Sequence, residues 1–514
     1  MSTPADYVAF LNRNGVRLWV DNGQLRYRAR KGALSSEELA RLRSMRSEIV
    51  AELTKAGSAI TDSPTGAHPV RAAEAPLSFQ QQWLLKLLEE HSNWNAALSH
   101  TFRLKGALDS TALERSFAGI LRMHAALRTR IVRVGEEWRQ QIEPVDGFQL
   151  PVVQVSGECE AEREQNALRL IQNLAARGLD RSVAPLASVQ LIRVAEREHF
   201  LVLLFHRVAT DCLGIGQALR DLWALYGQLT QEPASTDLER SAQYLDYVLA
   251  QHAGDGAWLQ KHAAYWNDYL AGAGRILWPA KEYRAPASRE IPRVLACVEV
   301  SFGQRLSAGL KELSRQTQTL PALVTMALYV ACVSMWCGQK DLVVPLQIAG
   351  RAAAHEGIVG CFAHIVYLRI RLKGGESFIE LLKVVSNEFY KAAAFRQDCG
   401  RMVTRRPELL RGTLCQWLPW HPADIPAGPS LEGQLRQLGL EVEQIRCQSL
   451  EELTNVPPET VDLEINFFEA QGDISALAIY RADRFAEGAP RRLMQELRSV
   501  AERAVRDSRA PIAG

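Results

Sequence analysis

The sequence predicts an α/β (α+β) protein whose main body consists of two lobes of comparable size. Strand-like and helix-like segments alternate after residue 75, which is typical of sheets packed against helices. The run "HFLVLLF", His199–Phe205, is continuously apolar, as expected of a strand that is covered on both faces. The alternation is interrupted near residues 271–292, "GAGRILWPAKEYRAPASREIP", and this segment is predicted to join the two lobes.

The composition excludes several classes of protein. The 514 residues allow for about three domains at roughly 150 residues each. The net charge of +2 gives no global reason to expect nucleic acid or a membrane surface as a partner. No apolar run approaches the ~20 residues of a membrane span, and no secretion signal precedes the first helix. The nine cysteines form no C-x-x-C pair, so no metal site is indicated and a cytoplasmic location is expected.

Residues 1–54 are predicted to form a small module of a helix, a β-hairpin and a second helix. Asn22-Gly23 lies between two alternating segments, which is a strong hairpin signal. The second helix begins with a capping box at Ser35. Residues 55–75 lack periodicity and are rich in Ala, Ser, Pro and Gly, so they are predicted to be a linker.

The main body is predicted to comprise a first lobe at residues 76–275 and a second lobe at residues 276–508. "ALSHTFRLKG" alternates as a strand does, and "DSTALERSFAGILRMHAAL" indicates a helix capped near Asp109. "LPALVTMALYVACVSMWCG" is apolar around its whole circumference, which predicts a buried helix. "DLVVPLQI" and "GCFAHIVYLRIRL" are predicted strands of the second lobe.

Three arginines alternate along the second strand of the hairpin. Arg26, Arg28 and Arg30 are two residues apart, so they share one face of the strand. Taken alone, they are better explained as a solvated, charged strand edge that discourages aggregation. The alternative is an edge that accepts an incoming acidic peptide strand.

The N-terminal module resembles the TubC-type docking domain of nonribosomal peptide synthetases. The resemblance lies in the Leu-Trp-Val, Leu-Arg-Tyr-Arg and Lys-Gly-Ala-Leu segments of residues 3–54. It implies that the module binds the C-terminal tail of an upstream synthetase subunit, with Arg26, Tyr27, Arg28 and Arg30 as docking residues. A homodimer through this module is a further implication.

Residues 75–505 resemble the condensation domain family of the same synthetases. The resemblance lies in six short segments whose order and spacing hold over some 430 residues. The matching residues outside the central segment include Ser78, Gln80, Trp83, His124, Arg128, Pro345, Gly350, Arg351, Gly360, Phe362, Gln397 and Asp398.

The resemblance implies a fold and a set of partners. Two lobes like chloramphenicol acetyltransferase are expected to form a V, with a tunnel between them and the active site midway. Donor and acceptor substrates are expected to arrive from opposite ends on the phosphopantetheine arms of carrier proteins. The arm belongs to the carrier, so this chain is expected to bind no cofactor and no metal of its own.

The central segment reads His206-Arg207-Val-Ala-Thr-Asp211-Cys212, where the family has His-His-x-x-x-Asp-Gly. Amide formation requires a base that takes the amine proton or a donor that stabilises the oxyanion. Neutral histidine can do either. Arginine keeps its proton, so Arg207 cannot be the base but can still donate hydrogen bonds. His206, Arg207 and Asp211 are the catalytic candidates.

Three further residues are candidates for support of this site. The resemblance implies that Asp211 is structural and pairs with Arg351. His364 stands where the family often has asparagine, and a histidine there can accept a proton, although a partly buried strand residue is the simpler interpretation. Cys212 replaces a glycine; nothing near it in sequence indicates an activated thiol, so packing is the simpler role.

Two functions remain open on the sequence alone. The first is a condensation enzyme with an altered active site, and the second is an inactive condensation-like platform that recruits a tailoring enzyme or maintains domain spacing. The position behind a docking module favours the first, and the arginine at residue 207 favours the second. No adenylation or carrier motif is present, and the chain is expected to be a fragment of a longer synthetase.

Overall fold

The structure of the protein is a computed structural model, which describes residues 17–21, 24–28, 45, 74–231, 242–253, 256–284, 294–396, 405–424, 433 and 435–512. The chain divides into two compact units, Met1–Arg71 and Ala72–Gly514. The first predicted helix of residues 1–54, the second predicted helix apart from Met45, most of the predicted linker, and the residues Arg30, Gln397 and Asp398 lie outside the described residues.

The described part of the first unit contains the predicted β-hairpin. Strands β1 (Arg17–Asp21) and β2 (Gln24–Arg28) are antiparallel, with Leu18 opposite Tyr27. Two residues, Asn-Gly, separate the strands in the sequence. A connection of this length and composition matches the right-handed twist of paired strands, which explains the register.

The described part of the second unit contains alternating strands and helices. Its strands are β3 (Glu74–Pro76), β4 (Ala97–Gly106), β5 (Thr129–Val134), β6 (Glu137–Ile142), β7 (Val152–Gln154), β8 (Ala187–Ala195), β9 (Glu198–His206), β10 (Leu295–Ser301), β11 (Asp341–Ile348), β12 (His364–Arg371), β13 (Thr413–Leu418), β14 (Leu440–Ile445), β15 (Leu463–Ala470) and β16 (Asp473–Arg481). Its α-helices are α1 (Phe79–Glu90), α2 (Ser110–Met123), α3 (Glu160–Arg177), α4 (Cys212–Gln231), α5 (Tyr244–Ala253), α6 (Gly256–Tyr269), α7 (Gly303–Gln316), α8 (Pro321–Cys337), α9 (Phe378–Ala394), α10 (Leu450–Leu453) and α11 (Ala489–Arg506).

Two large sheets form the centres of two lobes. The first lobe has the strand order β14-β4-β9-β8-β7, with a small sheet β3-β6-β5 beside it. The second lobe has the order β10-β16-β15-β13-β11-β12. In the first lobe the rings of Phe102 on β4 and Trp223 on α4 meet edge to face, with centroids 6.0 Å apart. Such contacts between the sheet and its covering helices build the core of that lobe.

The sequence signals for buried elements agree with the structure. All residues of β9 from His199 to His206 are buried, as the apolar run predicts. Helix α8 begins with Pro321 at its first position and ends before Gly338, which has a φ of +66°. Its residues 323–333 are all buried, because the helix lies inside the second lobe.

One strand from the C-terminal half of the chain belongs to the sheet of the first lobe. Strand β14 pairs antiparallel with β4, and Leu440 lies opposite Gly106. The chain then passes through α10 and enters β15 of the second lobe. We call residues 440–455 the crossing segment, since they connect the two lobes next to the candidate site.

Among the described helices, none is by itself long and apolar enough to span a membrane. Helices α7 and α8 reach that length and composition only as a pair, which is bent by 108°.

The burial of the crossing segment predicts a large contribution to stability. Leu440 is fully buried in the core of the first lobe, whereas its neighbour Glu441 is exposed. We expect Leu440→Ala to lower the free energy of unfolding by about 2–5 kcal/mol, because the cavity it leaves cannot close completely. Glu441→Ala in the same strand should change it by less than about 0.5 kcal/mol. Chemical denaturation followed by circular dichroism measures both, and equal effects would contradict the crossing of β14.

Candidate active site

The central sequence motif forms a loop between β9 and α4, which we call the site loop (His206–Cys212). Its first half is held in the first lobe, where the backbone N–H of His206 donates to Leu186 O at 2.9 Å. Its second half reaches the second lobe, where the N–H of Asp211 donates to Gly360 O at 3.2 Å. The site loop therefore contacts both lobes through its backbone alone.

The carboxylate of Asp211 is the centre of a buried contact between the lobes. Its Oδ1 accepts from an Arg351 guanidinium nitrogen at 2.6 Å and from Gly214 N at 2.8 Å. Its Oδ2 accepts from Phe362 N at 3.0 Å. The side chains of Asp211 and Arg351 are only 11% and 9% exposed. The two residues whose pairing the family resemblance implies are thus in direct contact.

The second lobe positions Arg351 through its own backbone. The guanidinium donates to Ile358 O at 2.7 Å and lies 4.2 Å from the centre of the Phe362 ring. The preceding Gly350 has a φ of +66°, and a Cβ there would lie 2.0 Å from Phe362 O. Only glycine therefore allows the chain to bring Arg351 to this position.

His206 is buried and neutral. It is 3% exposed, and burial, with a smaller effect of the nearby charges of Arg181 and Arg207, lowers its pKa to about 3. Its Nδ1 accepts from Val208 N at 3.1 Å. This bond supports the turn of the site loop, so His206 acts within the loop rather than at a solvent-facing surface.

Arg207 extends from the first lobe to the crossing segment. One terminal nitrogen of its guanidinium donates to Glu452 O at 2.6 Å and to Thr454 O at 2.7 Å. The group lies 5.6 Å from the centre of the Trp94 ring. The Nε of Arg207 is shielded from solvent and has no hydrogen-bond partner among the described residues. One donor of this permanent cation is therefore unpaired in the present arrangement of the site.

A cavity of about 60 Å³ lies beside the site loop. Residues from both lobes line it, among them Gln80, Trp83, Arg207, Asp211, Cys212 and His364. Binding sites for small molecules usually have volumes of roughly 300–1,000 Å³. The cavity is therefore too small for two substrates in the arrangement that the structure describes.

The motif around Gln80 also connects the lobes. Gln80 Nε2 contacts the ring nitrogens of His364, and His364 Nδ1 lies 2.5 Å from Phe362 O. The hydroxyl of Tyr244 donates to Cys361 O at 2.7 Å and contacts the Ser78 hydroxyl at 2.8 Å. Both nitrogens of His364 are thus engaged within the protein, at one wall of the cavity.

Cys212 is the first residue of α4 and lines the cavity. Burial raises the pKa of its thiol to about 11, and the nearby Arg207 offsets only part of this effect. A thiol with this pKa is almost entirely protonated at neutral pH and is a poor nucleophile. Its surroundings favour packing, in line with the simpler expectation from the sequence.

Polar residues of the second lobe that the sequence alone does not indicate lie near Arg207. Glu464 on β15 is 2% exposed and accepts from Asn455 N at 3.0 Å. Asn455 in turn accepts from Gln347 Nε2 at 2.9 Å, and both line the cavity. The available signal was a glutamate within a strand whose other residues from Leu463 to Phe468 are also buried. A charged residue in such a strand needs specific partners.

The docking candidates belong to the first unit. Arg26, Tyr27 and Arg28 lie in strand β2, whereas Arg30 is outside the described residues. Within the part of the chain that the structure describes, no group of three or more His, Cys, Asp or Glu side chains is arranged to hold a metal ion.

Two family models match the chain. The condensation domain matches residues 71–405, and the TubC N-terminal docking domain matches residues 5–54. One of the linear gramicidin synthase subunits of Brevibacillus parabrevis is 30% identical over 462 residues, which are 88% of this chain but only 9% of that protein. The chain therefore spans a small part of this curated relative.

Solved structures share the fold. The cyclization-docking bidomain of the synthetase EpoB from Sorangium cellulosum has a TM-score of 0.70 and 18% identity, and 98% of each chain is covered. The X-domain from teicoplanin biosynthesis has a TM-score of 0.69 and 20% identity, with 86% of this chain and 98% of that chain covered.

The fold defines a two-lobed protein of the chloramphenicol acetyltransferase type, as the family resemblance implies. The chain belongs to the condensation domain family of nonribosomal peptide synthetases and carries a TubC-type docking domain before it. Condensation domains of these synthetases are amide-bond-forming acyltransferases that act on carrier-bound substrates and need no cofactor of their own.

The buried ion pair predicts a strong effect of its removal. We expect Arg351→Ala to lower the free energy of unfolding by about 3–5 kcal/mol, because Asp211 would remain as an uncompensated buried charge. Lys86 and Glu90 form an exposed pair at 3.6 Å, and Lys86→Ala should cost less than about 1 kcal/mol. Denaturation curves of both variants test this difference, and a loss below about 1 kcal/mol for Arg351→Ala would contradict it.

Proposed function

We propose that this chain joins a donor acyl or peptidyl thioester on one carrier protein to an amine on a second carrier protein. The observation that carries the proposal is the site loop, which the Asp211–Arg351 ion pair holds against both lobes at a cavity between them. The docking module before the condensation domain supports a donor carrier on a separate upstream subunit.

The proposed reaction requires no redox partner. The amine nitrogen attacks the thioester carbonyl carbon, and the oxyanion that forms then expels the thiolate of the donor arm. The amine loses one proton and the thiolate takes one up, so the products are an amide on the acceptor carrier and a free thiol on the donor carrier. An α-amino group has a pKa of about 7.7–8.0, so part of it is unprotonated near neutral pH.

In this proposal Arg207 stabilises the oxyanion. Its Nε, which is shielded and has no partner among the described residues, would become accessible when Arg207 leaves the carbonyls of the crossing segment, and would then donate a hydrogen bond to the developing negative charge. Asp211 and Arg351 maintain the site loop, and neutral His206 supports its turn. Cys212 and His364 form walls of the cavity. Arg207 does not act as the base that removes the amine proton.

The alternative is a non-catalytic platform, and a specific observation favours it. The guanidinium of Arg207 donates to two carbonyls of the crossing segment and leaves a cavity of about 60 Å³. A closed site of this kind suits a domain that recruits another enzyme. One solved structure with the same fold is a complex of the X-domain with OxyB from teicoplanin biosynthesis. The binding of OxyB is a property of that protein, and its likeness to the present chain is a likeness of fold alone.

An assay with loaded carriers distinguishes the two functions. Donor carriers with aminoacyl thioesters and acceptor carriers with amines are mixed with the protein, and the product is followed by mass spectrometry. We expect product from the wild type and about 10²–10³-fold slower formation with Arg207→Ala, because an oxyanion donor is lost. Arg169→Ala, at an exposed position of α3, is the matched arginine control and should have no effect.

Arg207→His completes the experiment, since it restores the residue of the family motif. If the wild type forms no product and Arg207→His does, the enzyme proposal is wrong and the platform is supported. A wild type as slow as the reaction without protein leads to the same conclusion.

We also propose that the docking module binds an acidic tail of the upstream subunit through Arg26, Tyr27, Arg28 and Arg30. The support is the family match and the alternating arginines of β2. An extended peptide that adds to a strand edge gains affinity from its backbone, and arginines select acidic side chains. Homodimerisation through this module is part of the same proposal and is measured by sedimentation.

Charge reversal tests the docking surface. We expect Arg26→Glu with Arg28→Glu to weaken binding of a labelled Asp- and Glu-rich peptide by at least about tenfold, and we expect added salt to weaken wild-type binding. Lys86→Glu with Arg169→Glu in the second unit reverses the same number of charges and is the control for net charge. Fluorescence anisotropy gives both affinities, and equal affinities for the double variant and the control would exclude these two arginines.

A further inference from the structure

One peptide group of the crossing segment lies between a cation and an acid. Arg207 donates to Thr454 O at 2.7 Å, and the N–H of Asn455 donates to Glu464 Oε2 at 3.0 Å. The carbonyl and the N–H belong to the same peptide unit. The guanidinium and the carboxyl group are thus connected through a single planar group, although they form no direct ion pair.

The side chain of Asn455 fixes the orientation of this peptide. Its amide nitrogen donates to Glu464 Oε1, and its oxygen accepts from Gln347 Nε2 at 2.9 Å. Glu464 therefore binds both the backbone and the side chain of Asn455. The Thr454 carbonyl has little freedom to turn away from Arg207.

The charged groups at the two ends of this peptide group strengthen each other's hydrogen bonds to it. Each peptide unit has a dipole of about 3.5 D, with the positive end at the N–H and the negative end at the oxygen. A carboxylate at the N–H and a guanidinium at the oxygen both stabilise this dipole, and bonds arranged in such a chain polarise one another. Loss of the carboxylate charge should therefore weaken the contact of Arg207.

We propose that Glu464 is a positioning residue that holds Arg207 at the wall of the cavity through the Thr454–Asn455 peptide. Its effect on amide formation rests on the proposed function, whereas the positioning itself does not. Without the Glu464 charge, Arg207 is held less firmly and the cavity opens more readily.

Burial raises the pKa of Glu464 to about 7, and its contacts with Asn455 and the charge of Arg207 oppose this rise. The other titratable groups near this cluster are Cys212 on α4, Cys415 on β13, Glu452 and Cys361 near Arg207, and Asp211 and His364, which line the same cavity. Burial raises the pKa of each of these cysteines to about 11 or above, so they stay neutral near pH 7. As the pH falls through about 7, Glu464 takes up a proton and Arg207 loosens.

Trp94 reports on this movement without any substrate. Its ring lies 5.6 Å from the Arg207 guanidinium and is 7% exposed. The emission spectrum of Trp94→Phe is subtracted from that of the wild type, and the difference is measured between about pH 5.5 and 8.5, which brackets the raised pKa. We expect a transition with a midpoint near pH 7.

Three variants define the origin of the transition, and each is compared with a matching form that also carries Trp94→Phe. Glu464→Gln keeps the size and one acceptor oxygen but cannot ionise, so the transition should be lost. Arg207→Gln should also abolish it, with Glu464 intact. Asp462→Asn is the matched control: Asp462 is a buried acid on the same lobe whose pKa is raised by burial, but its carboxylate accepts from the Tyr283 hydroxyl at 2.9 Å instead. This variant should retain the transition.

If a variant fails to fold, the wild-type measurement alone still tests the proposal. A flat wild-type difference signal over this range overturns the proposal, and so does a transition that Glu464→Gln or Arg207→Gln retains. In the carrier assay, an inactive protein with an intact Trp94 transition contradicts only the proposed function. An active protein without the transition contradicts only the role of Glu464.

Discussion

The ion pair between Asp211 and Arg351 is the contact on which the rest of the site depends. It connects the site loop of the first lobe to the Gly350–Phe362 region of the second, and each partner is nearly inaccessible to solvent. A buried charge is tolerated only when its hydrogen-bonding capacity is used, and Asp211 accepts from three donors. The cavity between the lobes exists at this position because this contact determines where the loop lies.

Position 207 shows how one substitution changes the use of such a frame. The resemblance to the family implies a histidine there, which is short enough to remain in the cavity and able to exchange a proton. Arginine is longer and keeps its charge, so burial requires acceptors for its donors. It finds two of them in the carbonyls of Glu452 and Thr454, and a position expected to serve chemistry becomes a contact with the crossing segment.

The sequence predicts the elements whose signals are local. The apolar run of β9, the buried helix α8 and the Asn22-Gly23 hairpin follow from periodicity and turn chemistry. The pairing of Asp211 with Arg351 follows from the family motifs. The partners of Arg207 do not, because they are backbone carbonyls about 245 residues away, and a carbonyl leaves no trace in residue identity. Glu464 was missed because its role arises only when β15 packs beside the crossing segment.

The contacts of Arg207 also bear on the proposed function, which combines docking and catalysis in one chain. Two hydrogen bonds from a charged group contribute about 3–6 kcal/mol together, so a form of the site in which Arg207 has left both carbonyls would be disfavoured by roughly 10²–10⁴-fold until a substrate replaces these bonds. A substrate that binds only the open form loses apparent affinity by that factor. Tethering offsets this loss, because a linked partner is present at an effective concentration of about millimolar. A site closed by Arg207 would therefore work poorly on free thioesters and better on a donor brought by a docked subunit. The same closure would cost a platform nothing, since a platform does not need the cavity to open.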